Sequence, residues 1–383
     1  MYRALEAGAY DRREPGTTAA AATAAGVGRP ISVLGMHPST GRLAAAPDKF
    51  RGTASASQVA ASAASAARGA GWQATEVPMA DGGDGLLDAV GGEERTTVVT
   101  GPLGAPVAAQ WRLLPAASGD GSPTAVIEMA RASGIALVGG AAGNDPVAAT
   151  TRGTGELVMA AVRAGARRVV VGAGGSATTD GGLGALEAIG GRAALRGAEL
   201  LVACDVTTPF LDAATVFGPQ KGADPAAVEL LSRRLASLAA RYRDELSTDV
   251  TGIAGAGAAG GLAGGLAALG AHVVSGFDLV AELVGLDAKL ASADLVVTGE
   301  GRLDPPSFAG KVVGGVIGRV GGRVPVLCVV GDVDAGVDLD ACRERGIEVV
   351  SLVGRFGRER ALAEAAALVG DVVAAHLAGL ASR

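Results

Sequence analysis

The fold of this chain is decided near its end, by ADLVVTGEGRLD at residues 293–304, VPVLCVVGD at 324–332 and GIEVVSLV at 346–353. Each segment holds a short apolar run that is typical of a β-strand. Between these runs the pattern becomes helical. The predicted strands are 294–298, 324–330 and 347–353, and the predicted helices are 311–320, 338–345 and 358–380. Such alternation predicts a parallel sheet with helices on both faces.

Two further strands come from the start of the chain. Residues 42–48 and 73–79 flank a helical pattern at 55–68, which Ser55 precedes as a helix cap. Three strands are too few for a doubly wound sheet, and adding these two gives a five-stranded flavodoxin-like unit. The sequence therefore predicts an α/β protein whose first domain is discontinuous.

The predicted architecture has two domains, a flavodoxin-like parallel-sheet domain and a mixed α/β domain inserted into it. The predicted boundaries are 42–90 and 286–383 for the first domain and 91–285 for the second. In the insert we expect strands at 95–100, 107–114, 124–129, 169–171 and 199–203, and helices at 154–164, 225–246 and 258–269. Residues 1–41 show no apolar period, which predicts a disordered N-terminal extension, with Met36 as an alternative start.

Composition and charge exclude several classes of protein. The chain has 49% hydrophobic and 19% charged residues, a formal net charge of −6 and no basic run, which argues against a nucleic-acid partner. The glycine-interrupted stretch 252–274 is too weakly apolar for a membrane span. Three cysteines without zinc-type spacing predict reduced thiols and a cytoplasmic location. The oligomeric state stays open, a homo-oligomer included.

Three unusual loops each follow a strand of the predicted first domain. They are Asp48–Gly52 (DKFRG), Asp81–Gly85 (DGGDG) and Gly299–Asp304 (GEGRLD). Ligands of an open parallel sheet bind beyond the carboxyl ends of its strands, so we expect the three loops to converge on one edge. Acidic, basic and glycine residues at one edge favour phosphate and metal handling over packing.

A fourth loop, Gly172–Gly182 (GAGGSATTDGG), follows the predicted strand at 169–171 and opens a helix. Its glycines let backbone N–H groups approach an anion, and a helix start adds partial positive charge. A simple strand-to-helix turn capped by Thr179 or Asp180 explains the same residues. The loop matches neither GxGxxG nor GxxxxGK[ST], so it predicts neither a dinucleotide fold nor a P-loop.

Taken together and in order, these motifs resemble the bacterial glycerate kinase family. They are APDKFRGT at 46–53, MADGGDG at 79–85, GGSATTDGG at 174–182, CDVTTP at 204–209, FGPQKGA at 217–223, GAGAAGGL at 255–262 and TGEGRLD at 298–304. The resemblance spans about 42–380. It implies ATP-dependent phosphorylation of D-glycerate, commonly at the 2-hydroxyl, by a two-domain enzyme whose active site lies in the cleft.

Phosphoryl transfer requires alignment and charge neutralisation, which assigns roles to the loop residues. The predicted catalytic residues are Lys49, Asp81, Asp180 and Asp304, with Asp81 and Asp304 as Mg²⁺ ligands. The predicted contacts to substrate and phosphate are Asp48, Arg51, Gly174, Gly175, Ser176, Thr178, Lys221, Gly299, Gly301, Arg302 and Lys311. Mg²⁺ prefers one or two carboxylates plus phosphate oxygens, so three acids are sufficient. Sequence does not separate the base from the metal ligands.

Three other functions compete with this reading. A kinase for another small hydroxy acid would keep the fold and change only the carboxylate pocket. A non-catalytic nucleotide or sugar-acid sensor would lack the loop acids, which are present. An NAD-dependent oxidoreductase is disfavoured because no GxGxxG follows the first strand. Which hydroxyl is phosphorylated stays open.

Overall fold

The structure, a computed structural model, describes residues 41–116, 122–309 and 311–382. Its strands are β1 (Arg42–Ala45), β2 (Gln73–Glu76), β3 (Glu93–Thr100), β4 (Pro106–Leu114), β5 (Thr124–Glu128), β6 (Arg168–Gly172), β7 (Glu199–Cys204), β8 (His272–Ser275), β9 (Leu295–Thr298), β10 (Arg302–Leu303), β11 (Val326–Val330), β12 (Asp332–Val333) and β13 (Ile347–Ser351). Its α-helices are α1 (Ala56–Gly69), α2 (Leu86–Val90), α3 (Ala130–Ser133), α4 (Arg152–Arg163), α5 (Leu183–Ile189), α6 (Ala213–Phe217), α7 (Pro225–Leu246), α8 (Ala258–Ala268), α9 (Gly276–Val284), α10 (Leu286–Ala291), α11 (Val312–Val320), α12 (Leu339–Glu344), α13 (Leu352–Phe356), α14 (Arg358–Ala363) and α15 (Ala365–Ala381). Apart from Gly41, the predicted extension at 1–41, with Met36, lies outside these residues.

The first sheet takes its strands from both ends of the chain. Its order is β2–β1–β9–β11–β13, and every neighbouring pair is parallel. Numbered by chain position, this is the order 2-1-3-4-5 of a flavodoxin-like sheet. Strands β9 and β11 are buried along their whole length, which explains why they are apolar apart from Thr298. The predicted fold class is confirmed.

The second sheet is mixed and has the order β3–β4–β5–β6–β7–β8. The β3–β4 and β4–β5 pairs are antiparallel, and the pairs from β5 to β8 are parallel. Strand β8 was not predicted, because HVVS is short and follows directly on the glycine-rich helix α8. The chain therefore inserts a complete second sheet between β2 and β9. The proposed boundaries at 90/91 and 285/286 stay a prediction.

One apolar core joins the two sheets. Val296 of β9 belongs to the same buried cluster as Val170 of β6 and Leu201 of β7, together with residues of α2 and α9. The opposite face of the first sheet is covered by α1 and α15, and that of the second by α4, α5 and α8. The loops at the carboxyl ends of both sheets are thus anchored on a shared interior.

The predicted helices differ from the structure at two places. The single helix expected at 358–380 is wrong, because it is two helices separated at Glu364, whose φ of −125° is not helical. Helix α8 is kinked within its first turn, where Ala259, Gly260 and Gly261 have positive φ. A Cβ on Gly260 would lie 2.0 Å from the Thr178 carbonyl oxygen, so the kink permits close packing on the fourth loop.

The cysteines and the apolar character of the helices complete the description of the fold. Cys204, Cys328 and Cys342 are free and buried. Over the described ranges of the chain, no helix combines the length and the apolar character needed to cross a membrane.

Candidate active site

Loops from both sheets line one cavity of about 700 Å³. Its walls come from the segments after β1 and β2 of the first sheet and after β6 and β7 of the second. The predicted site residues that line it are Lys49, Arg51, Asp81, Gly174, Gly175, Ser176 and Lys221. The carboxyl ends of parallel strands therefore bring two separate glycine-rich loops to one cleft.

The Asp81–Gly85 loop and the glycine loop after β6 touch each other across this cleft. A Cβ on Gly174 would lie 2.7 Å from the Cα of Gly83, so only glycine permits this approach. The Lys49 ammonium donates a hydrogen bond to the Asp84 carbonyl oxygen, which ties the loop after β1 to the loop after β2. Three of the predicted motifs are thus in direct contact.

Three carboxylates lie close together at the cleft, Asp48 and Asp81 from loops of the first sheet and Asp205 from the second. Burial raises the pKa of Asp48 to about 6, an effect that Lys49 opposes and Asp81 reinforces. Burial and then the negative charge of Asp81 and Asp48 raise the pKa of Asp205 to about 7. An Asp205 oxygen also accepts a hydrogen bond from the Gly276 N–H at 3.1 Å. These acids are close enough to repel one another.

Asp205 was not among the predicted site residues. It follows β7 directly and lies in the CDVTTP motif at 204–209, so its position at the carboxyl end of a strand was a usable signal. The motif contributed to the family resemblance, but no role was assigned to its aspartate. The structure places Asp205 on the wall of the cavity, beside Asp81.

The glycine loop after β6 is held from behind by a buried lysine. Lys221 is 2% exposed, and its Nζ donates to the Thr178 carbonyl oxygen at 2.6 Å. Asn144 Nδ2 donates to the carbonyl oxygens of Ala177 and Lys221, at 3.0 and 2.9 Å. Burial lowers the pKa of Lys221 to about 7, and the Asp180 carboxylate opposes this effect. Thr178 itself is buried, and its carbonyl oxygen is the acceptor for Lys221.

The helix after the glycine loop begins only at Leu183. The N–H groups of Gly174 and Gly175 therefore belong to the loop and not to the first turn of a helix. The contribution of the helix start to anion binding stays a prediction. The donors at this wall are loop N–H groups, the Ser176 hydroxyl and Lys221.

Asp180 lies behind the loop, and both of its oxygens are engaged. One oxygen accepts from the Thr151 N–H and hydroxyl, both at 2.8 Å, and from the Gly184 N–H at 3.2 Å. The other accepts from the Gly182 N–H at 3.1 Å. Asp180 does not line the cavity. This geometry favours the helix-cap alternative, and a catalytic role for Asp180 stays a prediction.

The loop after β9 lies beside the loop after β1 and does not line the cavity. Asp304 caps the short turn Pro305–Phe308 by accepting from the Ser307 N–H at 2.9 Å and from the Ser307 hydroxyl at 2.8 Å. Arg302 pairs with Asp334 at 2.6 Å, and Lys311 is exposed. The binding and metal roles predicted for these residues stay predictions.

The backbone of the same loop is tied to its neighbours. The carbonyl oxygens of Gly299 and Gly301 accept from the N–H groups of Asp48 and Asp332, at 2.8 and 3.1 Å. Glu300, which was not predicted, has a carboxylate oxygen that is buried without a hydrogen-bond partner among the described residues. Burial raises the pKa of Glu300 to about 7. The loop therefore brings a second buried carboxyl group near Asp48.

The carboxylates fit a Mg²⁺ ion that arrives with a nucleotide. No group of three or more His, Cys, Asp or Glu side chains forms a metal cage within the part of the chain that the structure describes. Asp81 and Asp205 nevertheless share one wall, and their mutual repulsion is what a cation would relieve. Mg²⁺ commonly binds one or two carboxylates and completes its shell with phosphate oxygens and water.

Comparison with known proteins agrees with this arrangement. The sequence model of the Glycerate kinase family matches residues 43–194 and 192–380. Glycerate 2-kinase of Escherichia coli (strain K12) is 38% identical over 349 residues, covering 81% of this chain and 89% of that protein. Glycerate kinase of Bacillus subtilis (strain 168) is 38% identical over 344 residues, covering 80% and 88%.

A solved structure shares the fold. The crystal structure of a Salmonella typhimurium LT2 protein described as a glycerate kinase 2 superposes with a TM-score of 0.72. It is 34% identical, and the match covers 89% of this chain and 99% of that one.

The discontinuous parallel sheet, the inserted mixed sheet and the cleft between their loops define the class of protein as a two-domain α/β kinase. The chain belongs to the glycerate kinase family. The resemblance found in its motifs is confirmed, and the chain is an enzyme, which removes the non-catalytic sensor from the alternatives.

Proposed function

We propose that this enzyme transfers the γ-phosphoryl group of ATP to D-glycerate, with 2-phosphoglycerate as the favoured product. The observation that carries the proposal is the cleft itself, which is lined by the Asp81 and Asp205 carboxylates, the glycine loop after β6 and a buried lysine, with Asp48 close to both carboxylates. The names of the relatives from Escherichia coli and Bacillus subtilis support glycerate as the acceptor.

The phosphate chain of ATP fits the wall formed by Gly174, Gly175 and Ser176. Loop N–H groups and the Ser176 hydroxyl are donors, and Lys221 has three N–H groups of which one is used on Thr178. Phosphoryl transfer is promoted chiefly by positioning and by neutralising the phosphate oxygens. We assign this wall and Lys221 to that task.

Asp81 and Asp205, which line the same cavity, would hold Mg²⁺, which when bound neutralises charge on the phosphate oxygens. We propose Asp205 in place of Asp304 as the partner of Asp81, because Asp205 lines the cavity with Asp81 whereas Asp304 does not. A carboxylate of the Asp48, Asp81 and Asp205 group is also the nearest acceptor for the glycerate hydroxyl proton.

The glycerate carboxylate requires a cation near the first sheet. Lys49 and Arg51 both line the cavity there and are our candidates for this contact. A guanidinium can hold a carboxylate through two hydrogen bonds, which fits Arg51 to a short hydroxy acid. Arg302 is a weaker candidate, because the Asp334 carboxylate already occupies it.

The test is release of ADP from ATP by the purified protein, with D-glycerate and Mg²⁺ both required. Omission of glycerate, omission of Mg²⁺ and addition of EDTA are the controls. ³¹P NMR of the product distinguishes 2-phosphoglycerate from 3-phosphoglycerate. A panel of L-glycerate, lactate, glycolate and tartronate addresses the second candidate, a kinase for another hydroxy acid. Absence of ADP above background with every acceptor would refute the proposal.

The setting of the enzyme follows from the same reasoning. Three free, buried cysteines favour a cytoplasmic enzyme, and the net charge of −6 with no basic run argues against a nucleic-acid partner. We propose that location, which fractionation of the cells that express the protein would test.

A further inference from the structure

Glu128 is a buried carboxylate to which neither the sequence motifs nor the proposed mechanism assigns a role. It is the last residue of β5 in the second sheet and is 1% exposed. A buried carboxylate is costly unless its oxygens receive hydrogen bonds or a countercharge. The hydrogen-bond partners of Glu128 therefore indicate the role of this buried carboxylate.

Those partners lie on the loop that carries Asp81. One Glu128 oxygen accepts from the Gly85 N–H at 2.9 Å and from the Leu87 N–H at 3.1 Å. Its other oxygen pairs with the Arg131 guanidinium at 3.0 Å. Gly85 precedes helix α2, and it has no side chain with which to cap that helix. The second sheet thus supplies the cap for a helix that follows a strand of the first sheet.

The Asp81–Gly85 loop packs closely against Gly172 and Gly276 but has few other hydrogen bonds among the described residues. Lys49 binds its carbonyl at Asp84, and Gly83 rests on Gly174. The Asp81 carboxylate accepts only a long bond, 3.3 Å, from the Gly83 N–H. Among the described residues, Glu128 is the acceptor that fixes the far end of the loop. Without it, two N–H groups at the end of the loop would lose their acceptor.

We infer that Glu128 is a positioning residue. It holds the Asp81 loop in place against the glycine loop that follows β6. It acts through the backbone of Gly85 and Leu87 and does not touch substrate. The inference rests on the proposed function, because the position of Asp81 matters for turnover only if that carboxylate serves phosphoryl transfer. A misplacement of about 1 Å in such a group can cost on the order of 10²-fold in rate.

The alternative is that Glu128 contributes only to stability, and a matched residue separates the two. Glu156 in helix α4 is also a partly buried carboxylate that accepts from a backbone N–H, that of Thr100 at 2.7 Å, and pairs with Arg152 at 3.1 Å. It does not line the cavity. Glu156→Ala should therefore lower thermal stability and leave kcat unchanged.

The experiment compares Glu128→Ala, Glu128→Gln and Glu128→Asp with Glu156→Ala. Glu128→Ala should lower kcat by about 10- to 100-fold with a smaller change in the KM for ATP. Glu128→Gln keeps an oxygen for both N–H groups and should recover most of kcat. Glu128→Asp keeps the charge but is one methylene shorter, so it should resemble alanine. If the Glu128→Ala variant does not fold, the kcat of the Glu128→Asp variant tests the inference in its place.

Hydrogen exchange of residues 81–90 gives a readout that does not depend on turnover. We expect faster exchange of this segment in the Glu128→Ala or Glu128→Asp protein, wild-type exchange in Glu128→Gln, and no change there in Glu156→Ala. Wild-type kcat in the alanine and aspartate variants would overturn the inference, as would unchanged exchange. If the wild-type protein phosphorylates no hydroxy acid, the proposed function fails, and the exchange data still decide whether Glu128 holds the loop.

Discussion

Replacing Lys221 by methionine should make the protein more stable near neutral pH while weakening phosphate binding. Lys221 is almost fully buried, and its ammonium has one acceptor among the described residues, the Thr178 carbonyl oxygen at 2.6 Å. The Phe217 ring lies beside it, with its centroid 6.0 Å from Nζ. Methionine has a similar length and adapts to irregular space, so the variant removes the charge with little change in packing.

The magnitude follows from the pKa. Burial lowers the pKa of Lys221 from 10.5 to about 7, and one pKa unit corresponds to about 1.4 kcal/mol. The unfolded chain therefore binds more protons than the folded protein between about pH 7 and the ordinary lysine pKa. Stability of the wild type should rise with pH across that window, because the cost of burying the charge disappears when the amine is neutral. Between about pH 6 and about pH 10 this effect amounts to about 4 kcal/mol.

Methionine does not titrate, so the variant lacks this dependence. We expect the free energy of unfolding of Lys221→Met, relative to wild type, to be most favourable near pH 6 and to fall by about 4 kcal/mol towards pH 10. Loss of the hydrogen bond to Thr178 costs about 1–3 kcal/mol, but it acts at both pH values and cancels in the comparison. The KM for ATP should rise.

The assay is urea unfolding of wild type and variant at several pH values, with Lys311→Met as the control. Lys311 is exposed, so its replacement should give a pH-independent difference. The same stability difference between Lys221→Met and wild type at both ends of the pH range would refute the reasoning. It would show that the ammonium is solvated in the folded protein.

Three further predictions concern the cleft. Asp205→Asn can keep the hydrogen bond from Gly276, yet it should lower kcat by about 10²-fold or more because it loses a charged ligand or base; steady-state kinetics with raised Mg²⁺ test this, and full activity would remove Asp205 from the mechanism. Asp180→Asn should lower the melting temperature and leave kcat nearly unchanged. An amide N–H₂ group replaces an oxygen that accepts backbone N–H groups, and each lost hydrogen bond costs about 1–3 kcal/mol of stability. A large loss of kcat at an unchanged melting temperature would instead support a catalytic role for Asp180. Gly174→Ala should lower kcat without unfolding the protein, since its methyl would stand 2.7 Å from Gly83, and unchanged kinetics would show that the two loops do not meet.

Much of the fold could be predicted because parallel strands buried on both faces have an unmistakable composition. The segments 326–330 and 295–297 are wholly apolar and are separated by a helix of ordinary length. Short helices were not predicted, because a few residues carry no recognisable pattern. Helices α2 and α3 have five and four residues, too few for a helical period to show, and they are held by tertiary contacts.

The site was predictable only where a motif both follows a strand and has an unusual composition. Asp81 and the Gly174–Ser176 segment meet this condition, and the structure places them on one cleft. Asp205 follows a strand but has ordinary neighbours, and Glu128 is the last residue of one. Their importance depends on which N–H groups and charges approach them from the other sheet, which no local pattern records.

The sequence by itself determined the class of this protein: its alternating strands set a parallel sheet, and its motifs set the glycerate kinase family. Only the tertiary structure decided how the acids divide. Asp180 accepts hydrogen bonds on both oxygens and Asp304 on one, and neither lines the cavity, whereas Asp81 and Asp205 do. The physical reason is that a carboxylate looks the same in sequence whether or not it is satisfied, and its free lone pairs depend on residues distant along the chain.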